Sequence, residues 1–180
     1  MPDPIFADPR LAAIYDDLDG VRDDLDFYVA LAETTVGAVT MTGNVAQVLL
    51  DDEDWLSALR SIRLRLSPGG QLIFETRDPA ACAWERWNRS ASFARTGISG
   101  IGTVESWVEL LDVELSFVSF RWTFRFVDTG ELLTSDSTLR FRDRAEIETT
   151  LGQCGFGVFE VLDAPDRPGA EFVFVASPRR

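Results

Sequence analysis

The order of apolar runs between residues 35 and 76 constrains this chain more than any other feature. Residues 35–40, Thr-Val-Gly-Ala-Val-Thr, have the length and character of a strand and lead into the polar turn Met41-Thr42-Gly43-Asn44. In residues 51–66, Trp55, Leu59, Ile62 and Leu66 recur at the spacing of one helix face, and Ser67-Pro68-Gly69-Gly70 stops the helix. Residues 71–76, Gln-Leu-Ile-Phe-Glu-Thr, then read as a second strand. Strand, helix, strand is a βαβ unit, so the two strands are expected to be parallel with a right-handed crossover. Ligand groups in such sheets gather beyond the carboxyl ends of the strands.

Around this unit the reading is mixed. Asp8 and Pro9 open a helix with Leu11, Ile14, Tyr15 and Leu18 on one face, ended by Gly20. Asp23 and Asp24 open a second, with Leu25, Tyr28, Leu31 and Ala32 on one side. A short helix carries Trp84 and Trp87. Three strand-like runs follow, residues 104–111, 113–126 and 132–141, with a turn at Asp128-Thr129-Gly130. In the middle run Val113, Leu115 and Phe117 alternate, and then Val118, Phe120, Trp122, Phe124 and Phe126 do so on the opposite parity. That switch predicts a bulge or a change of buried face. Asp143 and Glu146 form a capping-box-like start to a helix aligning Ile147, Leu151 and Cys154, closed by Gly155. Strands over 157–162 and 171–176 complete one α/β domain. It divides into N-terminal helices (1–33), the βαβ unit (34–78), a helix with an antiparallel meander (79–142) and a closing helix with two strands (143–180).

Composition removes whole classes of chemistry. All 17 basic residues are Arg, with no Lys and no His, against 30 acidic residues and a net charge of -13. Imidazole acid–base catalysis, His-activated nucleophiles, lysine Schiff bases and a Walker-type lysine are excluded. Nucleic-acid binding is disfavoured by the net negative charge. Cys82 and Cys154 form no CxxC unit and sit among apolar neighbours, as buried thiols do. The opening residues lack a basic segment and a long apolar run, so no signal peptide, no membrane span and a cytoplasmic location are expected.

Several residues are candidates for a ligand site. Asn44 and Gln47 follow the first parallel strand and serve either a ligand or the cap of the next segment. Arg77 follows the second strand and either shares that rim or pairs with Asp78 at the surface. Trp84, Trp87, Trp107 and Trp122 line an aromatic pocket or fill the core. Arg121 and Arg125, like Arg140 and Arg142, share one face of a strand; pairing with Glu109 and Glu114 is favoured over binding a carboxylate. Tyr15 and Tyr28 offer a phenol to a ligand or pack along their helices.

Residues 66–75, Leu-Ser-Pro-Gly-Gly-Gln-Leu-Ile-Phe-Glu, close a helix and open a strand in a way that resembles class I S-adenosylmethionine-dependent methyltransferases at their fourth helix and fifth strand. Residues 36–44 resemble that family's fourth strand and its loop, and the meander resembles an insertion of its small-molecule members. Residues 143–176 resemble its closing helix with the sixth and seventh strands, and residues 1–33 its acceptor-covering helices. The implied fold is a partial Rossmann-like sheet, with strands corresponding to 4-5-7-6 and a meander insertion. In that family the cofactor lies on the first three strands, on a glycine-rich turn at a helix start. Here residue 33 ends a helix and residue 36 already resembles strand four; Gly100-Ile101-Gly102 reads only as a flexible connection. The expectation is therefore a truncated member with no cofactor of its own, binding S-adenosylmethionine only if a partner or dimer completes the site. An apolar strand at 36–40, left as an edge, implies a homodimer through that edge. Three functions remain open. The first is a repurposed small-molecule binder or cofactor-independent cyclase or isomerase; the second, a methyltransferase completed by another chain; the third, a non-catalytic regulatory protein.

Overall fold

The computed structural model describes residues 7–14, 18 and 37–179. Tyr15, Tyr28, the helix expected over residues 23–32 and residue 36 lie outside the described residues. The chain divides into two compact units, one of Met1–Arg22 with Trp84–Thr138, the other of Asp23–Ala83 with Leu139–Arg180. In chain order the main elements are β1 (Ala38–Met41), α1 (Asp52–Arg65), β2 (Gln71–Arg77), β3 (Ala94–Ile98), β4 (Gly102–Glu114), β5 (Phe117–Phe126), β6 (Leu132–Arg140), α2 (Arg144–Gln153), β7 (Phe156–Asp163) and β8 (Glu171–Pro178). Among the described residues no helix is long and apolar enough to cross a membrane.

The unit holding the βαβ segment is a four-stranded sheet in the order β1-β2-β8-β7. β1 runs parallel to β2, β2 antiparallel to β8, and β8 antiparallel to β7. Asp51 caps α1 by accepting from the Glu53 N–H at 2.7 Å, and Leu66 ends it in extended backbone. Asp143 caps α2 in the same way through the Glu146 N–H at 2.8 Å. Trp55 and Leu59 of α1 and Ile147 and Leu151 of α2 are buried against Leu72, Phe74, Phe156 and Phe174. Phe74 stacks on Phe174 with ring centroids 5.2 Å apart and meets the edge of Trp55 at 5.7 Å. Ile73, Val173 and Val175 form a second apolar layer on the opposite face of the sheet. A strand buried on both faces needs such a continuous apolar run, and Leu72, Ile73 and Phe74 of β2 supply it.

The other unit is an antiparallel sheet in the order β3-β4-β5-β6. A helical turn at Pro9–Ala12 places Leu11 and Ile14 against Ile98, Val104 and Phe124. Four sequence expectations change here. The meander has four strands, because Ala94–Ile98 pairs with β4 although its composition, Ala-Arg-Thr-Gly-Ile, carries little apolar alternation. Gly100 and Gly102, with φ of 79° and 103°, therefore lie at a hairpin turn and not in a flexible connection. The parity switch in residues 113–126 is itself a hairpin: β4 ends at Glu114, β5 begins at Phe117, and Val113 faces Val118 across the pair. Folding back between 114 and 117 puts an odd-numbered residue opposite an even-numbered one. The bulge lies in β4, between Leu110 and Asp112. The expected helix around Trp84 and Trp87 is a single 3-10 turn, Ala83–Arg86, followed by one helical turn, Arg89–Ser92.

Candidate functional site

The strongest concentration of buried polar groups lies at the carboxyl ends of β1 and β2. The turn after β1 carries Asn44 in the left-handed region, with φ of 58°, a conformation that asparagine tolerates better than most residues. The turn is held from beneath by Glu75, whose carboxylate accepts the backbone N–H groups of Gly43 and Asn44, the latter at 3.2 Å. Asn44 Nδ2 donates to Glu171 Oε2 at 3.2 Å, and Arg77 Nη1 donates to Gln47 Oε1 at 2.9 Å. Arg77 and Glu171 face each other across β2 and β8, with Nε 3.5 Å from Oε1. Arg167 completes the cluster by donating to Glu171 at 2.6 Å. Burial pushes the Arg77 guanidinium below its ordinary pKa.

Asn44 and Gln47, only 3% and 1% exposed, keep one polar atom each, Oδ1 and Nε2, without a hydrogen-bond partner among the described residues. The capping alternative does not hold for Asn44: it stands at the cap position of the 3-10 turn Val45–Gln47, but its side chain makes no capping bond. The expected Arg77–Asp78 surface pair is also replaced. Arg77 turns inward to Gln47 and Glu171, and Asp78 caps the next turn through the Ala80 N–H at 2.9 Å.

A second charged cluster braces the same loop from the helix side. Arg140 donates to the Leu50 carbonyl at 2.9 Å and pairs with Asp52 at 2.6 Å and Glu146 at 3.0 Å. Arg142, 3% exposed, reaches the Ala46 carbonyl at 3.5 Å, and its guanidinium lies 5.2 Å from the centroid of the Trp55 ring. Arg140, Arg142 and Trp55, with Ala46, Thr76 and Ile147, line a shallow depression. Burial pushes Asp52 up, but the hydrogen bond and charge of Arg140, with Arg142 behind, hold its carboxyl below the usual range. Burial and the adjacent Arg140 push Arg142 down.

The other candidates are dispersed. Trp107 and Trp122 lie on opposite faces of one sheet, because Trp122 pairs with Val108 and side chains alternate along a strand. Trp107 stacks near Phe93 under the Arg89 guanidinium and donates Nε1–H to Glu109 at 2.8 Å. Trp87 meets the edge of Phe120 at 4.7 Å, Trp122 stacks on Phe124 at 5.9 Å, and Trp84 is buried. The four tryptophans therefore do not form one pocket wall. The arginines are paired, but with partners other than Glu109 and Glu114. Arg121 takes Asp136 through two bonds of 2.6 Å and Arg125 takes Glu105, while Arg140 and Arg142 take Asp52 and Glu146. Cys82 is half-buried rather than buried; Cys154 is buried, which pushes its thiol pKa up.

No protein-family model matches the chain, and neither does any curated protein sequence. Solved structures do match in fold. A methyltransferase dependent on S-adenosylmethionine from Clostridium acetobutylicum superposes with a TM-score of 0.59 at 13% identity, over 79% of this chain and 58% of that one. The CcbJ methyltransferase from Streptomyces caelestis gives 0.60 at 18%, over 80% and 57%. An amino pentose methyltransferase from Micromonospora echinaspora involved in calicheamicin biosynthesis, solved with S-adenosylmethionine bound, gives 0.57 at 17%, over 78% and 58%. This chain thus spans less than three fifths of the length of each of these proteins.

Three features of the described residues bear on a site for S-adenosylmethionine, the molecule named with the first and third of these proteins. On its side away from β2, β1 has no further strand among them to carry a cofactor loop. The two N–H groups in the turn after β1 already serve Glu75. Gly100 and Gly102 join two antiparallel strands, where a cofactor turn joins a strand to a helix.

Proposed function

We propose that this chain, built on the fold of methyltransferases that use S-adenosylmethionine, binds a small polar molecule at the carboxyl ends of β1 and β2 and transfers no methyl group by itself. One observation carries the reading: Asn44 Oδ1 and Gln47 Nε2 are buried and unpartnered inside a network whose other groups are engaged. Leaving a buried polar atom unsatisfied costs about 1–3 kcal/mol, a cost that a ligand repays on binding. The amino pentose methyltransferase among the structural neighbours makes a sugar-sized molecule the first ligand class to try. Any conversion would rest on positioning and on guanidinium charge, since the chain has neither His nor Lys. A cofactor-independent cyclase or isomerase fits that description. Calorimetric titration tests the reading: no heat with S-adenosylmethionine or S-adenosylhomocysteine is expected, while a monosaccharide binds and Asn44→Gly weakens it. Glycine suits the positive φ at position 44, so the loop backbone is preserved. Micromolar binding of S-adenosylmethionine would overturn the proposal.

A second reading is supported by the length of the neighbours and by β1, which pairs only with β2 among the described residues. In it the chain is one part of a methyltransferase completed by another chain or a second copy. Cofactor binding that appears only above the concentration of self-association would favour it.

A further inference from the structure

The polarity of the two unpartnered atoms is fixed by their neighbours. Glu171 only accepts hydrogen bonds, so Asn44 must turn its NH2 toward it and leave Oδ1 on the other side. Arg77 only donates, so Gln47 must turn its Oε1 toward it and leave Nε2. Both charged partners are themselves anchored, by Arg167 and by the cross-strand register of β2 with β8. Neither amide can flip without setting like against like: oxygen against carboxylate, or NH2 against guanidinium. What remains is one acceptor and one donor, both on side chains more than nine-tenths buried and three residues apart on one 3-10 turn.

Resting on the small-molecule reading above, we propose that Asn44 and Gln47 form a subsite for a neutral hydroxyl, with Asn44 Oδ1 taking its proton and Gln47 Nε2 donating to its oxygen. An ammonium group would satisfy Asn44 and face the Gln47 NH2 donor to donor. A carboxylate would satisfy Gln47 and face Asn44 acceptor to acceptor. Gln47 thus excludes the ammonium and Asn44 the carboxylate.

The substitution Gln47→Glu separates those ends. It keeps an oxygen toward Arg77, now as a charge-assisted pair, and converts the outward donor into an acceptor. The probes are methyl glucoside, glucosamine and glucuronate, titrated calorimetrically into the full chain and the variant. The native chain should bind methyl glucoside about tenfold or more tighter than either charged analogue. Gln47→Glu should lose about tenfold for methyl glucoside and rank glucosamine first. Asn44→Gly, which leaves the Arg77 contact intact, should weaken methyl glucoside and spare glucuronate, so the inference stays testable if the glutamate variant does not fold. Sugar binding that Asn44→Gly weakens but Gln47→Glu leaves unchanged in rank overturns this inference alone. No binding of any probe to the native chain removes the small-molecule reading and this inference together. A crystal structure at saturating methyl glucoside showing an ordered water on the two amides would overturn it as well.

Discussion

Glu75 shows how a single residue can set a loop from beneath. Its carboxylate takes the N–H groups of Gly43 and Asn44 and so sets the loop from which Asn44 and Gln47 project. Glu75→Ala should leave the Asn44 N–H buried without an acceptor and cost about 1–3 kcal/mol in urea unfolding; Glu75→Gln, which keeps one oxygen, should cost less than half of that. The sequence pointed to Asn44, Gln47 and Arg77 because position alone selects them, beyond the ends of parallel strands. It gave no warning of Glu171, whose role depends on a register between β2 and β8 that no local pattern encodes. Glu75 carries a readable signal, because an acid inside a strand buried on both faces must have partners.

Helices α1 and α2 were legible because their apolar spacing and caps agree, and Trp55, Leu59, Ile147 and Leu151 are buried as that spacing requires. Strand β3 was not, since its pairing comes from β4 and not from its own residues. What joins the two helices electrostatically is the Asp52–Arg140–Glu146–Arg142 cluster. The folded pKa of Asp52 lies below its unfolded value of about 3.9. Its contribution to stability is therefore complete above that pH and is lost as pH falls through the folded value. The thermal midpoint should drop on acidification below pH about 4. Asp52→Asn should lower the midpoint at neutral pH and shrink the acid-dependent drop, as scanning calorimetry at several pH values would show.

For the whole molecule, the resemblance of residues 66–75 to a methyltransferase helix–strand junction, with the order of the elements around it, pointed to the methyltransferase-type fold that the solved structures share. Division into two compact units was not legible, because no linker or change of composition marks residues 83–84 or 138–139. The proposed homodimer belongs to this scale: light scattering across micromolar concentrations should give twice the mass of 20.1 kDa. Placing Lys at Thr40, an exposed position of β1, should shift that mass toward the monomer.

The bulge in β4 acts on the strand as an inserted base acts on a reading frame. A strand has a frame of two, and the extra residue at Leu111 shifts it by one. Before the bulge, Glu105 and Glu109 share a face with Arg125 and Arg121; after it, Val113 shares a face with Val118. Substituting Leu111, half exposed on that sheet, should be mild. Deleting its single codon removes the compensating shift, so either the tip or the base of the hairpin must turn over. In a deletion scan of β4, position 111 should tolerate replacement by most residues and loss of none.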